Sequence, residues 1–439
     1  MQLAWPVMVG MLGHIMVGVA DSVMVGRYLG AVPLAAVSLA NSVFHIPFVF
    51  ALGVAFGLTP LVANADGEKD TVKAAGFWKT AFYVNVVLGV LISMVLILIE
   101  PVLGMMGQEP QVVELATPFF SIISLSMIPF LLFLNLKQFA EGLSDTLTAT
   151  RISLAANVLN VFLNYALIKG AWGFPEMGLN GAAWATFISR VAMFGGLWLY
   201  IRFHGKFKPY WEARVKAVFN WENVKRILDI GIPSGLQYVF EVGAFAISAI
   251  LVGTMGALPQ AAHQVSITLA SISYMAASGL SAAASIRVGN QLGKRDFATL
   301  RLAAVTLFIM VIAFMSSTGI IFLSGRFFWP TLFTSEPVVI AIAAQLLIVT
   351  TFFQISDGIQ VVAQGALRGL GDTRTPTIYS FIAYWIVSLP LAYGLGFYTS
   401  LGVIGVWIGL AAGLTVNAIL LYRRFMTKAN QLVQQNAAA

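Results

Sequence analysis

Cysteine is absent from the chain, which excludes disulfide staples and thiolate metal sites and leaves no argument from redox compartment. Charge is almost as scarce: Asp, Glu, Lys and Arg make up 10% of the 439 residues, against roughly 25% in an ordinary soluble domain. Motifs of the common chemistries are missing too. No G-x-x-x-x-G-K-[ST] sequence is present, so nothing points to a nucleotide-driven pump, and the absence of HExxH and GxSxG leaves no intramembrane enzyme to propose. What is present is apolar: 59% hydrophobic residues and a mean hydropathy of +0.86, far too high for a soluble chain of this length. The reading is an all-α integral membrane protein, not an enzyme, with no cofactor.

A membrane-crossing helix needs about 20 apolar residues. Punctuation at Gly, Pro and charge clusters gives twelve, over about 3–27, 33–63, 76–99, 114–138, 150–169, 179–203, 227–253, 259–289, 300–323, 338–366, 376–398 and 402–424. Residue 1 already lies in an apolar run with no basic leader, so the first of these reads as a spanning helix and not as a signal peptide. With both termini cytoplasmic, every Lys and Arg except Arg27, Lys169, Arg190 and Arg326 falls on the inner side. That asymmetry sets the expected topology in a cell (inner) membrane. It also accounts for the net charge of +7 through anionic lipid, without a nucleic-acid partner.

The longest polar segment divides the helices six and six, and the halves repeat. Trp5-Pro6 aligns with Ile232-Pro233, EGLSDT (141–146) with RGLGDT (368–373), NADGEKD (64–70) with NQLGKRD (290–296), and GLNGAAW (178–184) with GVIGVWI (402–408). An even-numbered repeat starts both halves on the same side, giving two pseudo-symmetric six-helix lobes about an axis along the membrane normal. The expected organisation is an N-lobe over 1–203, a cytoplasmic linker over 204–226, a C-lobe over 227–425 and a tail over 426–439, whose QLVQQNAAA (431–439) reads as frayed.

Among 18 acidic residues, only Asp21, Glu241 and Asp357 lie well inside spans. A charge at a helix centre costs at least about 2.5–3.5 kcal/mol, which makes each a functional candidate. His14 precedes Asp21 by two helical turns on the same face, and the repeat register places it on Glu241. Asn157, Asn160 and Asn164 form an amide stripe whose spacing fits interhelical bonding and a ligand role equally. Phe353, Asp357, Gln360 or Val361, and Gln364 line one side of the tenth span. Arg190 is the one base deep in a span, with Asp21 its expected partner. Tyr238, Phe240, Phe245, Tyr274 and Phe353 offer aromatic surface to a hydrophobic cation.

VGVADSVMVGRYLG (17–30), AAHQVS (261–266), SIRVGNQLGKRD (285–296) and DGIQVVAQGALRGLGDT (357–373) resemble the MATE family, the multidrug and toxic compound extrusion transporters, in its NorM-like branch. The resemblance runs in order along essentially the whole chain. It implies a secondary active exporter that antiports organic, aromatic cations against Na⁺ or H⁺ by alternating access, a monomer in membrane lipid. A lipid-linked precursor flippase of the same superfamily is the alternative, although anionic cargo calls for basic cavity residues. The family's C-lobe cation site carries over onto Glu241 and Asp357, where Na⁺ would bind, and its N-lobe site onto Asp21, Asn160 and Asn164. Gln264 within AAHQVS, Tyr274 and Phe353 complete the cation- and substrate-binding candidates, and His14 and Asp21 are the coupling candidates. Phe353 stands where NorM-like members can have Tyr one turn before the acid, so one hydroxyl ligand is missing.

Overall fold

The computed structural model describes residues 4–217 and 219–438; the side chains of Leu12, His14, Ile15, Met16, Lys216, Ala437 and Ala438 lie outside the described residues. The described chain is helical, and twelve long helices carry it. In the first half these are α1 (Ala4–Leu29), α2 (Ala31–Gly67), α3 (Thr71–Leu98), α4 (Pro110–Gly142), α5 (Thr146–Lys169) and α6 (Gly178–Phe203). In the second half they are α7 (Trp221–Gly253), α8 (Ala257–Gly293), α9 (Phe297–Ser324), α10 (Pro337–Gly369), α11 (Arg374–Phe397) and α12 (Val403–Ala438). Helices α2 to α12 are each long and apolar enough to cross a membrane, and α1, at 26 residues, is of matching length. The chain divides into two compact units, Met1–Gly235 and Leu236–Ala439.

The repeat reappears in the backbone. Lys69 and Arg295, equivalent in the register, both take left-handed conformations, with φ of 60° and 56°. The aspartate after each, Asp70 or Asp296, then caps the next helix by accepting the backbone N–H of Lys73 (2.8 Å) or Thr299 (3.0 Å). Ser144 (φ 62°) matches Gly371 (φ 72°), and Gly178 and Gly402 share a φ of 53°. A non-glycine residue at positive φ costs on the order of 1 kcal/mol. Matched strain at matched positions marks one turn design used twice, tightened where a cap offsets the cost.

Small residues bring helices into close contact, as lipid-solvated bundles require. A Cβ on Gly405, Gly409 or Gly413 of α12 would collide with the backbone or side chains of α11. Gly53 and Gly57 of α2 meet Gly231 and Gly235 in the first half of α7 in the same way, two facing G-x-x-x-G pairs. In α11, Pro390 has no N–H to donate to the preceding turn, and residues 382–388 widen into a π-helical segment.

One expectation changes. The tail expected to fray continues α12 through Ala438. Arg424 and Lys428 both bond the Asp372 carboxylate at 2.8 Å, and Phe425 and Ala429 are fully buried, so α12 is held against the second unit as far as Ala429. The polar segment after α6 is also ordered. A short helix, Lys208–Lys216, lies against the first unit, with the Tyr210 hydroxyl donating to Asp66 (3.1 Å) and Lys79 donating to the carbonyl of Ala217 (2.8 Å). Burial and the adjacent Asp66 charge raise the Tyr210 phenol well above its usual range, so it stays a donor.

Candidate functional site

In the first unit Asp21 of α1 meets the amide stripe of α5. Asn164 and Asn160, one turn apart and buried, lie on one face; the Asn164 amide nitrogen donates to Asp21 Oδ1 (2.5 Å) and to Asn160 Oδ1 (3.1 Å). Thr186 of α6 donates to the other carboxylate oxygen at 3.4 Å and accepts from Asn160 at 3.5 Å. Both oxygens of Asp21 therefore have donors. The third amide, Asn157, donates instead to the carbonyl of Gly13 (3.0 Å) and ties α5 to α1. The stripe thus divides into one structural amide and two that face the carboxylate. The side chain of His14 lies outside the described residues.

Arg190 meets its expectation at a distance: its charge acts on that of Asp21, but among the described residues the two make no direct ion pair. Its Nη1 donates to Ser126 Oγ (2.6 Å), and its guanidinium lies over Phe130, Phe44 and Phe48, at 4.9, 5.7 and 5.9 Å from the ring centroids. Aromatic faces and a hydroxyl solvate this cation. Asp21 is thus an electrostatic neighbour of Arg190, whose direct contacts are ones the sequence does not show, because they depend on how α6 is rotated.

In the second unit two carboxylates address one nitrogen. Gln360 Nε2 donates to Glu241 Oε1 at 3.2 Å and to Asp357 Oδ1 at 3.0 Å. The amide is fixed in that orientation from behind, because Tyr384 Oη (2.8 Å) and Asn417 Nδ2 (2.7 Å) both donate to its oxygen. A flipped amide would set two donors against an NH₂ group. Asn417 also donates to Ser380 (3.2 Å), which accepts from Gln237 at 3.2 Å, so α7, α10, α11 and α12 all contribute to one buried polar network. Glu241, Asp357, Gln360, Tyr384 and Asn417 are all buried.

That network is not saturated. Among the described residues Glu241 Oε2 and Gln364 Nε2 are buried without a hydrogen bond of good geometry, although Gln364 and Tyr274 stand close enough to Glu241 to interact with it. Two carboxylates sharing a neutral amide in a low-dielectric interior repel each other, and a proton or cation relieves the repulsion. Tyr274 stands near enough to interact with both acids. Phe353, one turn before Asp357, is buried against Trp407 (centroids 5.6 Å), whose indole donates to His263 Nδ1 at 3.1 Å. Its ring thus serves the core wall. Gln264 is exposed, and the structure does not hydrogen-bond its side chain to this network.

Thr186, Tyr384 and Asn417 are absent from the sequence-derived candidates. Asn417 carries a usable signal, a lone amide within GLTVNAILL. Tyr384 does not, since it reaches Gln360 from the widened turn that Pro390 imposes.

Comparison with known proteins agrees with the repeat. The MatE family model matches the chain twice, over residues 6–166 and 233–394, once in each half. The chain belongs to the MATE family. The probable multidrug resistance protein NorM of Rhizobium meliloti (strain 1021) is 34% identical over 440 residues, covering 96% of this chain and 91% of that protein. The multidrug resistance protein NorM of Photobacterium profundum is 34% identical over 434 residues, covering 96% and 93%. Among solved MATE structures, an outward-facing multidrug resistance transporter of the MOP superfamily superposes with a TM-score of 0.88 at 21% identity, covering 99% of this chain and 96% of that one. A eukaryotic MATE transporter gives 0.87 at 23%, covering 99% and 97%. At that identity the structures speak for the fold alone.

Proposed function

We propose that this MATE protein is a secondary active multidrug exporter that antiports aromatic organic cations against Na⁺ or H⁺ by alternating access. The observation that carries the reading is the pair Glu241 and Asp357 on one fixed amide, with Glu241 Oε2 buried and lacking a hydrogen bond of good geometry among the described residues. Such a pair holds one positive charge well and two badly. A drug cation and a coupling ion therefore compete for it, and if each favours a different conformational state, entry of one drives exit of the other. The driving force is about 2.3 kcal/mol per charge per 100 mV, with about 1.4 kcal/mol for each tenfold ion gradient. The NorM relatives are named as multidrug resistance proteins, which supports this cargo class.

The assignments that accompany the reading are these. Residues 1–203 and 227–425 act as the two lobes joined by 204–226, both termini are cytoplasmic, and the protein works as a monomer in the inner membrane. Na⁺ is a transported ion here and not a resident metal. Glu241 and Asp357 would supply its charged oxygens, with neutral oxygens completing the shell, since no group of three or more His, Cys, Asp or Glu among the described residues is placed to hold a metal. The Asp21 cluster is the H⁺-coupling candidate, with His14 on the same helix.

The deciding experiment is ethidium efflux from proteoliposomes under an imposed Na⁺ gradient and, separately, an imposed pH gradient. Uphill efflux under one of them is the expected result; none under either defeats the antiport reading.

A further inference from the structure

One end of the first unit carries an aromatic cluster that core packing does not explain. Tyr28, at the end of α1, meets Tyr165 near the end of α5 edge to face, with ring centroids 5.9 Å apart. Tyr165 lies 5.1 Å from Trp172, and Trp172 stacks flat on Phe162 at 4.5 Å with 9° between the planes. Trp172 reaches that position at a φ of 57°, between Gly170 at 66° and Gly173 at 84°. A bulky residue rarely enters this left-handed region, and doing so stores strain. Burial does not repay it, for Trp172 is 62% exposed and Phe162 48%.

Rings at the border of a membrane are common. The cation among them is not accounted for in that way. Lys169 Nζ lies 4.0 Å from the Tyr28 ring centroid and 5.9 Å from that of Tyr165. Among the described residues Lys169 makes no ion pair, although Glu176 packs against the adjacent Gly170. The ammonium thus lies on ring faces with a carboxylate available in the same loop.

We propose that Tyr28, Tyr165 and Trp172 form a binding cage for lipophilic aromatic cations, in which Lys169 is a tethered occupant that the passing cation displaces. The proposal rests on the export reading above and adds a station to it. Tyr28 lies two turns beyond Asp21 on α1, and Tyr165 adjoins Asn164 on α5, so the cage continues from the Asp21 cluster along the same two helices. A delocalised cation with aromatic groups gains both from the tyrosine faces and by stacking on Trp172. The lysine, on a flexible stem, leaves readily but stays close. Once displaced, its charge repels the guest, so the cage passes a cation on and does not retain it.

The test uses the purified full chain and tetraphenylphosphonium. With lysines ¹³C-dimethylated, the Lys169 signal, assigned by its loss in Lys169→Arg, is expected to be shifted upfield by the Tyr28 ring. Saturating probe should return it to the position of an exposed lysine. In Tyr28→Ala it should already be there, and in Tyr28→Phe, which keeps the ring face, it should remain upfield. Lys169→Met should tighten probe binding about two- to fivefold, the size of an exposed cation–π contact. Only variants that unfold at the wild-type temperature are counted, and Lys169→Gln replaces Lys169→Met if the latter does not. A Lys169 signal unmoved at saturation, or unchanged affinity on removal of the lysine, overturns the cage. Ethidium efflux is read in parallel: efflux intact with an unmoved Lys169 signal overturns the cage alone, whereas displacement of Lys169 without efflux keeps the cage and overturns the export reading.

Discussion

The two units repeat a backbone but not a chemistry. In the first, a single carboxylate, Asp21, receives a donor on each oxygen from Asn164 and Thr186. In the second, two carboxylates share one amide, and an oxygen of Glu241 lacks a hydrogen bond of good geometry among the described residues. Asp21 has a donor on each oxygen, although Asn164 Oδ1 beside it is buried without a partner among the described residues; in the second unit the atom so placed is a carboxylate oxygen. A repeat therefore fixes where helices turn without fixing how the charges inside them are partnered.

The comparison breaks most directly at the pair. Glu241→Gln keeps shape and gives up charge, and removing one partner of a buried charged network costs about 2 kcal/mol or more, roughly thirtyfold. Gradient-driven ethidium efflux should fall at least that far. Asp357→Asn should match it, and the double variant should be little worse, because groups acting as one unit are non-additive. Efflux that survives Glu241→Gln but is lost in Asp21→Asn would transfer the main role to the first unit.

Asp21→Asn is expected to reduce efflux less, about tenfold, since both donors to the carboxylate can regroup around a neutral amide. The effect should appear mainly under a pH gradient if this cluster carries H⁺; equal losses under pH and Na⁺ gradients would deny it that role. A smaller effect is expected from Tyr384→Phe. It removes one of two donors that orient Gln360, a loss of about 1 kcal/mol, or roughly fivefold in cation affinity. Dye titration of the purified protein checks this, and an unchanged Kd would mean that Asn417 alone fixes the amide.

The smallest effect lies outside the membrane spans. Burial would raise the Asp372 carboxyl, but the hydrogen bonds and charges of Lys428 and Arg424 outweigh it and hold the group below its ordinary value. A depressed carboxylate contributes stability above its unfolded pKa of about 3.9, and that contribution is lost as pH falls through the lower folded value. Asp372→Asn should cost about 1 kcal/mol at neutral pH, discounted because the two cations are about one-third exposed. Thermal unfolding of the two proteins should converge below about pH 4. A gap that persists in acid would assign the effect to packing.

Much of this fold is legible because it rests on hydrophobicity and turn chemistry, both local. Twelve spans follow from apolar run length, and the repeat from motifs that prove to be shared turns, such as those at Lys69 and Arg295. Asp21, Glu241 and Asp357 are also legible, since a charge in an apolar run is conspicuous, whereas Glu141, buried near the end of α4, is not singled out by its sequence. Helix rotation is not. It decides that Gln360 and not Val361 meets the acids, that Arg190 faces Ser126 and three rings, and that Asn157 turns away from Asp21. The order in the tail is hidden for a related reason: its polar residues look soluble until Asp372 is placed beside Lys428.

The widened turn in α11 has a consequence for inheritance. A π-helical segment amounts to one extra residue threaded into an otherwise regular helix. Deleting a single residue between 382 and 388 would restore an ordinary helix with both flanks in phase. The fold would survive, and Tyr384 would lose its place behind Gln360. Among descendants of this sequence, a one-residue gap there would be tolerated by the architecture and felt by the amide between Glu241 and Asp357, so length at this point is a heritable setting that acts without any change in the acids.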